Sequence, residues 1–232
     1  MKSLTVDVVE QLQKAVETIM DKNSSKDNIL DALDMVNEYI DNIDFAVDFC
    51  KLGGLRVILP HLNSRHSSIK SRSCDLVADI CQNNPFCQKQ ILELHILPHL
   101  TRLLTESADN DGSCVSAMHA ISCVIRGNRE TLDAFLAIDG VMHVMQAVKS
   151  DNERLAIKAT FLLNSLCSEY ADVKSKSIHG CSVSSVLTKD LVVFSHIQAA
   201  ESRTTDCRIN PTERRVLYKG GVTNHSFGHI NR

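Results

Sequence analysis

The phrase KLGGLRVILPHLNS at residues 51 to 64 returns as ELHILPHLTRLLTES at 93 to 107 and as AIDGVMHVMQAVKSD at 137 to 151. Setting Gly54, His95 and Gly140 in register spaces the copies 41 and 45 residues apart. A second phrase travels with the first. IKSRSCDLVADI (69 to 80), SCVSAMHAISCV (113 to 124) and LAIKATFLLNSL (155 to 166) align without gaps on Val77, Ile121 and Leu163, in steps of 44 and 42. In the first copy Ile69, Ser73, Leu76, Val77 and Ile80 fall at the spacing of a helix with one buried face. The polar stretches between the phrases, NSRHSS, TESADNDGS and KSDNE, carry turn chemistry. Asn84-Pro85, ahead of FCQKQILELH, predicts a fresh helix with proline in its first turn.

Each period therefore reads as a short helix, a helix of the GLRVILPHL type, a polar turn and a longer helix. Units of about 40 to 47 residues built from two or three helices are those of armadillo or HEAT arrays, where each repeat buries its apolar face only against its neighbours. The expected fold is all-α, an armadillo-like right-handed solenoid of about three repeats. Pro60 and Pro98 should shorten or kink the second helices. Upstream, Leu30, Leu33, Val36, Ile40, Ile43 and Val47 keep helical spacing across residues 28 to 50 and predict a partial repeat or cap. Leu4, Val8, Leu12, Val16 and Ile19 predict another amphipathic helix over 4 to 20, with DKNSSKD as the loop between. The pattern fails after Ser175. SIHGCSVSSVL leaves room for a second helix starting near Gly180, and from Thr188 onward no period is sustained. The expected organisation is an N-terminal helix and loop (1–27), a repeat domain (28–176) and a divergent, disordered tail (177–232).

Composition narrows the function. No apolar run approaches the roughly 20 residues of a membrane helix, and Asp7, Glu10 and Glu17 interrupt the N-terminal stretch where a signal peptide would be apolar. Nine cysteines occur without any C-x-x-C pair, which argues against a disulfide framework or a finger-type zinc site. Cys74, Cys81, Cys123 and Cys167 stand among aliphatic residues as small core side chains. Cytoplasmic location with reduced thiols is the expectation. Residues 1 to 176 hold 18 Lys and Arg against 24 Asp and Glu, and residues 177 to 232 hold 7 against 4. An acidic body repels phosphate backbones, so nucleic acid is not an expected partner.

DNIDFAVDFCKLGGL (41 to 55), SSIKSRSCDLVADICQNNPFCQ (67 to 88) and AISCVIRGN (120 to 128) occur in that order. Together they resemble the armadillo-type nucleotide exchange factors of the heat-shock-protein-70-binding protein family, over roughly residues 28 to 175. The resemblance implies a co-chaperone whose repeats curve around one lobe of the ATPase domain of the seventy-kilodalton heat-shock chaperone. Binding displaces the other lobe, ADP leaves, and ATP enters to release the client. It also implies a monomer without cofactor, and contacts from the concave face, lined by each repeat's third helix. By position these are Arg72, Asp75 and Asp79 from the first aligned helix, His119 and Arg126 from the second, and Lys158 and Phe161 from the third. Arg72 and Lys158 share a register whose middle member is Ser116. Each of these charges reads equally as a solvated outer face, His119 as a packed histidine and Phe161 as core. After Ser175 the text departs from the family, where relatives continue with a fourth repeat.

Rival readings have less to stand on. The chain carries no G-x-x-x-x-G-K-[ST], G-x-S-x-G or H-E-x-x-H, so catalysis has no motif. His95 and His99 are four apart, but Pro98 intervenes and no carboxylate motif accompanies them. Asn23-Ser-Ser and Asn224-His-Ser match the glycosylation pattern, which has meaning only in a secreted chain. An armadillo adaptor without exchange activity is the alternative. The peptide-binding kind resembles arrays with repeated Trp and Asn on the third helix, and this chain has no Trp.

Overall fold

The structure, a computed structural model, describes residues 7–106, 112–175, 177–178 and 181–182. The chain divides into two units, residues 1–188 and 189–232, and every described residue lies in the first. Twelve α-helices occur among the described residues. Before the repeats come α1 (Val8–Met20) and α2 (Lys26–Tyr39). The first repeat holds α3 (Ile43–Lys51), α4 (Gly54–Ile58) continued by a 3-10 turn (Leu59–Asn63), and α5 (Ser67–Cys81). The second holds α6 (Pro85–Glu93), α7 (Ile96–Glu106) and α8 (Ser113–Ile125). The third holds α9 (Arg129–Ala137), α10 (Gly140–Val148) and α11 (Glu153–Glu169), after which α12 (Ala171–Ser175) follows.

Like packs on like along the array. The first helices form one row, α3 on α6 on α9; the second helices form another, from the 3-10 turn to α7 to α10. The third helices form the last row, α2 on α5 on α8 on α11. The core between the rows includes Phe49, Leu55, Ile58, Leu76, Ile80, Ile91, Ile96, Leu100 and Phe135, all fully buried. Each such side chain contributes about 1.5–3 kcal/mol by leaving water.

Starts are written into the sequence by asparagine. Asn42, Asn84 and Asn128 cap α3, α6 and α9, their side chains accepting from the backbone N–H groups of Asp44, of Cys87, and of Glu130 and Thr131. A left-handed residue marks the turn into each second helix: Gly53 (φ 84°), His95 (φ 52°) and Asp139 (φ 56°). Their N–H groups donate to the carbonyls of Cys50, Leu92 and Leu136, which closes the last turn of the helix before. This fixes the register. His95 matches Gly53 and Asp139, so the partner of Gly54 and Gly140 is Ile96, one residue later than phrase matching places it. The apolar phrase is too loosely spelled to show a single-residue offset, whereas the turn is not.

The stretch 28–50 is two helices, broken at Ile40–Asn42, and the break changes its meaning. Asn42 starts α3 as the first helix of a repeat, leaving Ile43 at its exposed N-terminus at 58% accessibility rather than in the core. Its other half, α2, is a third-row helix packed on α5. Asp7 caps α1, which buries Leu12, Ala15, Val16 and Ile19; the expected helical residue Leu4 lies outside the described residues. The loop after α1 is shorter than read, because Ser25 caps α2 and the helix begins at Lys26.

Pro60 does as expected: the second helix of the first repeat leaves α geometry at Leu59 and continues as a 3-10 turn. Pro98 does not break α7. It is the third residue of that helix, in the first turn, where a missing N–H leaves no bond unmade. At the far end, Ser177–Ile178 pairs antiparallel with Cys181–Ser182, so these residues do not open a helix near Gly180. A segment of serines and β-branched residues has little helix propensity to oppose that pairing. The expected disorder of 183–232 falls outside the described residues.

Candidate partner-binding face

The third row places its outward side chains on one surface, and the expected contact residues lie along it. Arg72 on α5 reaches back to α2, its Nε 2.8 Å from Asp34 Oδ1 and a guanidinium N–H donating to Oδ2 at 3.4 Å. Both side chains are about half exposed, so the pair is screened and contributes at most about 1 kcal/mol. Asp75, one turn on, is mostly buried. That burial raises its carboxyl above the ordinary range, against the pull of a hydrogen bond with Ser116 and the charges of His119, Arg72 and Lys158.

His119 on α8 is also mostly buried. Desolvation, and after it the positive charge of Lys158 on α11, lower its pKa, while Asp75 pulls the other way. The carboxylate and the ammonium thus face one imidazole from the two neighbouring helices. A second group lies further along the row. The thiol of Cys123 is pushed up to about 11, by burial first and then by Asp79, with Arg126 and Lys158 opposing. Arg126 is the exposed C-cap residue of α8, and Phe161, three residues beyond Lys158 on α11, is partly exposed.

The structure therefore draws Arg72, Asp75, Ser116, His119 and Lys158 into one network across α5, α8 and α11, with Asp79 and Arg126 flanking Cys123 beside it. Phe161 shares their helix row. Sequence reading missed Asp34 as a member, having read residues 28 to 50 as one partial repeat or cap. The signal was present: the 42-residue step from Gly53 to His95, counted back from 69–80, lands inside α2.

Ser116, His119 and Asp75 are the residue types of a hydrolase triad, but the serine is bonded to Asp75, not to the imidazole. A hydroxyl so held is not in the serine–histidine arrangement of that triad. No group of three or more His, Cys, Asp or Glu able to hold a metal occurs among the described residues. His95 is exposed and left-handed at a helix junction, and His99 bonds Asn63 at 3.2 Å. None of the seven cysteines with described side chains forms a disulfide. Cys74 and Cys81 are buried as expected, whereas Cys123 and Cys167 are only partly so. Among the described residues no single helix is long and apolar enough to cross a membrane. The pair α9 and α10 would pass such a test only when joined through a 79° bend, and its apolar residues Leu132, Phe135, Val141 and Val144 are core.

Comparison with known proteins supplies the frame for this face. The family model described as SIL1/FES1/HPBP1 C-terminal domain matches residues 45–197, and that described as nucleotide exchange factor Fes1 matches residues 1–49. Hsp70-binding protein 1 of Homo sapiens is 34% identical over 136 residues, which cover 58% of this chain and 38% of the human protein. Nucleotide exchange factor Sil1 of Drosophila melanogaster is 27% identical over 158 residues, covering 67% of this chain and 36% of that one. Hsp70 nucleotide exchange factor FES1 of Mycosarcoma maydis is 26% identical over 159 residues, covering 68% and 39%. The matched stretch thus spans less than two fifths of each relative. Among solved structures, a designed armadillo repeat protein in complex with the peptide (KR)4 superposes with a TM-score of 0.60 at 16% identity, covering 79% of this chain and 81% of that one. At that identity the likeness concerns the fold alone, an armadillo-type helical solenoid.

Proposed function

Because this chain belongs to the SIL1/FES1/HPBP1 family, we propose that it is a nucleotide exchange factor: it binds the ATPase domain of the seventy-kilodalton heat-shock chaperone and speeds ADP release. Relatives carry the names Hsp70-binding protein and Hsp70 nucleotide exchange factor, and the reading transfers that role to the part of them this chain matches. The observation that carries it is the row α2, α5, α8 and α11, which presents Arg72, Asp75, Asp79, His119, Arg126, Lys158 and Phe161 on one surface. Mixed charge beside one partly exposed aromatic suits a folded polar partner, with Phe161 as anchor and the charges fixing orientation.

The mechanism needs no catalytic residue. A protein that binds the open ATPase domain better than the closed, ADP-bound one weakens ADP by the ratio of its two affinities, since the coupling is reciprocal. The partner's nucleotide then leaves because the open state is populated. We read the protein as a cytosolic monomer that does not engage membranes; the cytosolic part of this reading is supported by seven cysteines that form no disulfide among the described residues.

The test is release of fluorescent ADP from purified chaperone, with and without this protein. Acceleration that saturates with protein concentration supports exchange activity. Binding without acceleration leaves an adaptor that uses the same face, and no binding removes both.

A further inference from the structure

Cys50 and Cys87 lie at the junction of the first two repeats, in the first-helix row and away from the candidate partner-binding face. Cys50 is in the last turn of α3, and Cys87 is in the first turn of α6. Their sulfurs are 3.2 Å apart, with the Cys50 thiol directed at Cys87 Sγ. Cys87 Sγ in turn lies 3.8 Å from the carbonyl oxygen of Ala46. Both residues are buried, Cys87 completely and Cys50 at 6% exposure.

Packing does not require this pair. Counting one repeat on, the equivalent positions are Leu92 and Thr131, and the array closes there without a thiol; Thr131 spends its hydroxyl on the Val124 carbonyl at 2.8 Å. The contact between Cys50 and Cys87 is also much closer to bonding than a neutral apolar contact needs to be. A disulfide bond is about 2.05 Å long and accepts Cβ atoms about 3.5–4.5 Å apart, so closure asks for a shift of little more than an ångström.

We propose that Cys50 and Cys87 are a peroxide-responsive dithiol whose oxidation staples α3 to α6 and locks the first repeat onto the second. The thiolate of Cys50, the more accessible of the two, attacks one oxygen of hydrogen peroxide. The O–O bond breaks, Cys50 becomes a sulfenic acid, and the departing hydroxide takes the thiol proton to leave as water. Cys87 then attacks the Cys50 sulfur, the S–O bond breaks, and the second hydroxide leaves as water with the Cys87 proton. Two thiols lose two electrons, and peroxide is reduced to two waters.

In the resting protein the hydrogen bond to Cys87, and after it burial, hold the Cys50 thiol far above its ordinary pKa, which keeps Cys50 neutral and slow. Oxidation therefore waits on opening of the α3–α6 contact, and a small oxidant reaches it before a bulky one. Once formed, the bridge closes a loop of 37 sequence steps, long enough to raise stability by restricting the unfolded chain. The device does not depend on chaperone binding.

The experiment treats the full chain with hydrogen peroxide, unfolds it in N-ethylmaleimide, and maps the digest by mass spectrometry. The expected product is the Cys50 peptide joined to the Cys87 peptide, lost on adding dithiothreitol. The oxidised chain should melt roughly 5 °C or more above the reduced one, and the Cys87→Ala and Cys50→Ala chains should lose that shift. Recovery of both residues as maleimide adducts while other cysteines are oxidised would overturn the proposal. So would a joined pair with unchanged melting. The mapping is read on the unsubstituted chain, so poor folding of a variant does not blunt it.

Discussion

The ring of Phe135 fills the space that a side chain on Gly140 would need, so an added Cβ there would sit inside van der Waals contact with the ring. Phe49 stands over Gly54 in the same way two array positions earlier, in the first repeat. In the middle repeat both members are exchanged, to Ile91 and Ile96, and both are fully buried. Gly140→Ala should therefore cost about 2–3 kcal/mol by overpacking, measured by urea unfolding. Combined with Phe135→Leu it should cost less than the sum of the two single changes. Additive costs would mean that the ring does not set the demand for glycine.

Charge reversal addresses the candidate partner-binding face. Arg72→Glu with Lys158→Glu should weaken binding to the chaperone's isolated ATPase domain by roughly 100-fold or more, the scale of repulsive charge pairs at an interface. Helicity should stay unchanged, because the Arg72–Asp34 pair is half exposed and contributes little to folding. An unaltered affinity in titration calorimetry would place both side chains in solvent.

The imidazole of His119 predicts a pH dependence. Its pKa in the folded protein is lowered from the ordinary 6.5 by burial and Lys158. On acidification the unfolded chain takes up this proton first, and stability is lost as pH falls below that value toward the folded one. His119→Asn should flatten the decline in melting temperature between about pH 7.5 and about pH 5.5. Asp75 acts with opposite sign at lower pH, since its raised carboxyl is protonated first in the folded state. A variant that follows the parent's profile would show that His119 is not the group responsible.

Gln88, at 2% exposure, ties the second repeat to the third. It donates to the carbonyls of Cys123 and Arg126 at 2.9 and 3.2 Å and accepts from Asn128 at 3.0 Å. Gln88→Ala should cost about 2–4 kcal/mol, because partly unsatisfied buried networks are worse than none. At the preceding junction the equivalent residue is Ala46, and there Asn84 Nδ2 is a buried amide without a partner. Ala46→Ser should accordingly cost far less than Gln88→Ala in the same unfolding assay. Equal costs would mean that the network carries no special weight.

Hydrogen exchange should rank the third-row helices. α5 lies between α2 and α8, whereas among the described residues α11 has α8 as its one neighbour in the third row and is followed by the short α12. Amides in 153–169 should exchange faster than those in 67–81, since array stability is a sum over neighbours. Equal protection would indicate that α11 is covered as well as α5.

The fold was legible because repetition multiplies weak signals. Ile69, Leu76, Val77 and Ile80 alone read as some buried helix; three aligned copies read as an array. What stayed hidden was set by backbone geometry. His95 gives no sign in its side chain that it adopts the left-handed turn of Gly53 and Asp139, so the register slipped by one. Asn42 divides a stretch whose hydrophobic spacing runs on almost unbroken, and that hid α2 as a third-row helix with Asp34 on it. That Arg72, Asp75, His119 and Lys158 share the third-helix row followed from the repeat register, and their candidacy as contacts from the family resemblance. Their mutual contacts were not legible, because contact between rows depends on how far each side chain reaches.

The asparagine-capped starts and the bonds between rows have a consequence for how the molecule is made. Arg72 meets Asp34, Asn128 meets Gln88 and Asp172 meets Arg129 across 38, 40 and 43 positions. Ribosomes add about 5–20 residues per second, so each helix leaving the exit tunnel finds its neighbour completed seconds earlier. A sticky surface stays uncovered only for the time taken to translate about forty codons, and these bonds between neighbouring repeats wait for no partner from the distant end of the message. Slowing elongation at one repeat boundary should hardly disturb folding, because the part already outside is complete.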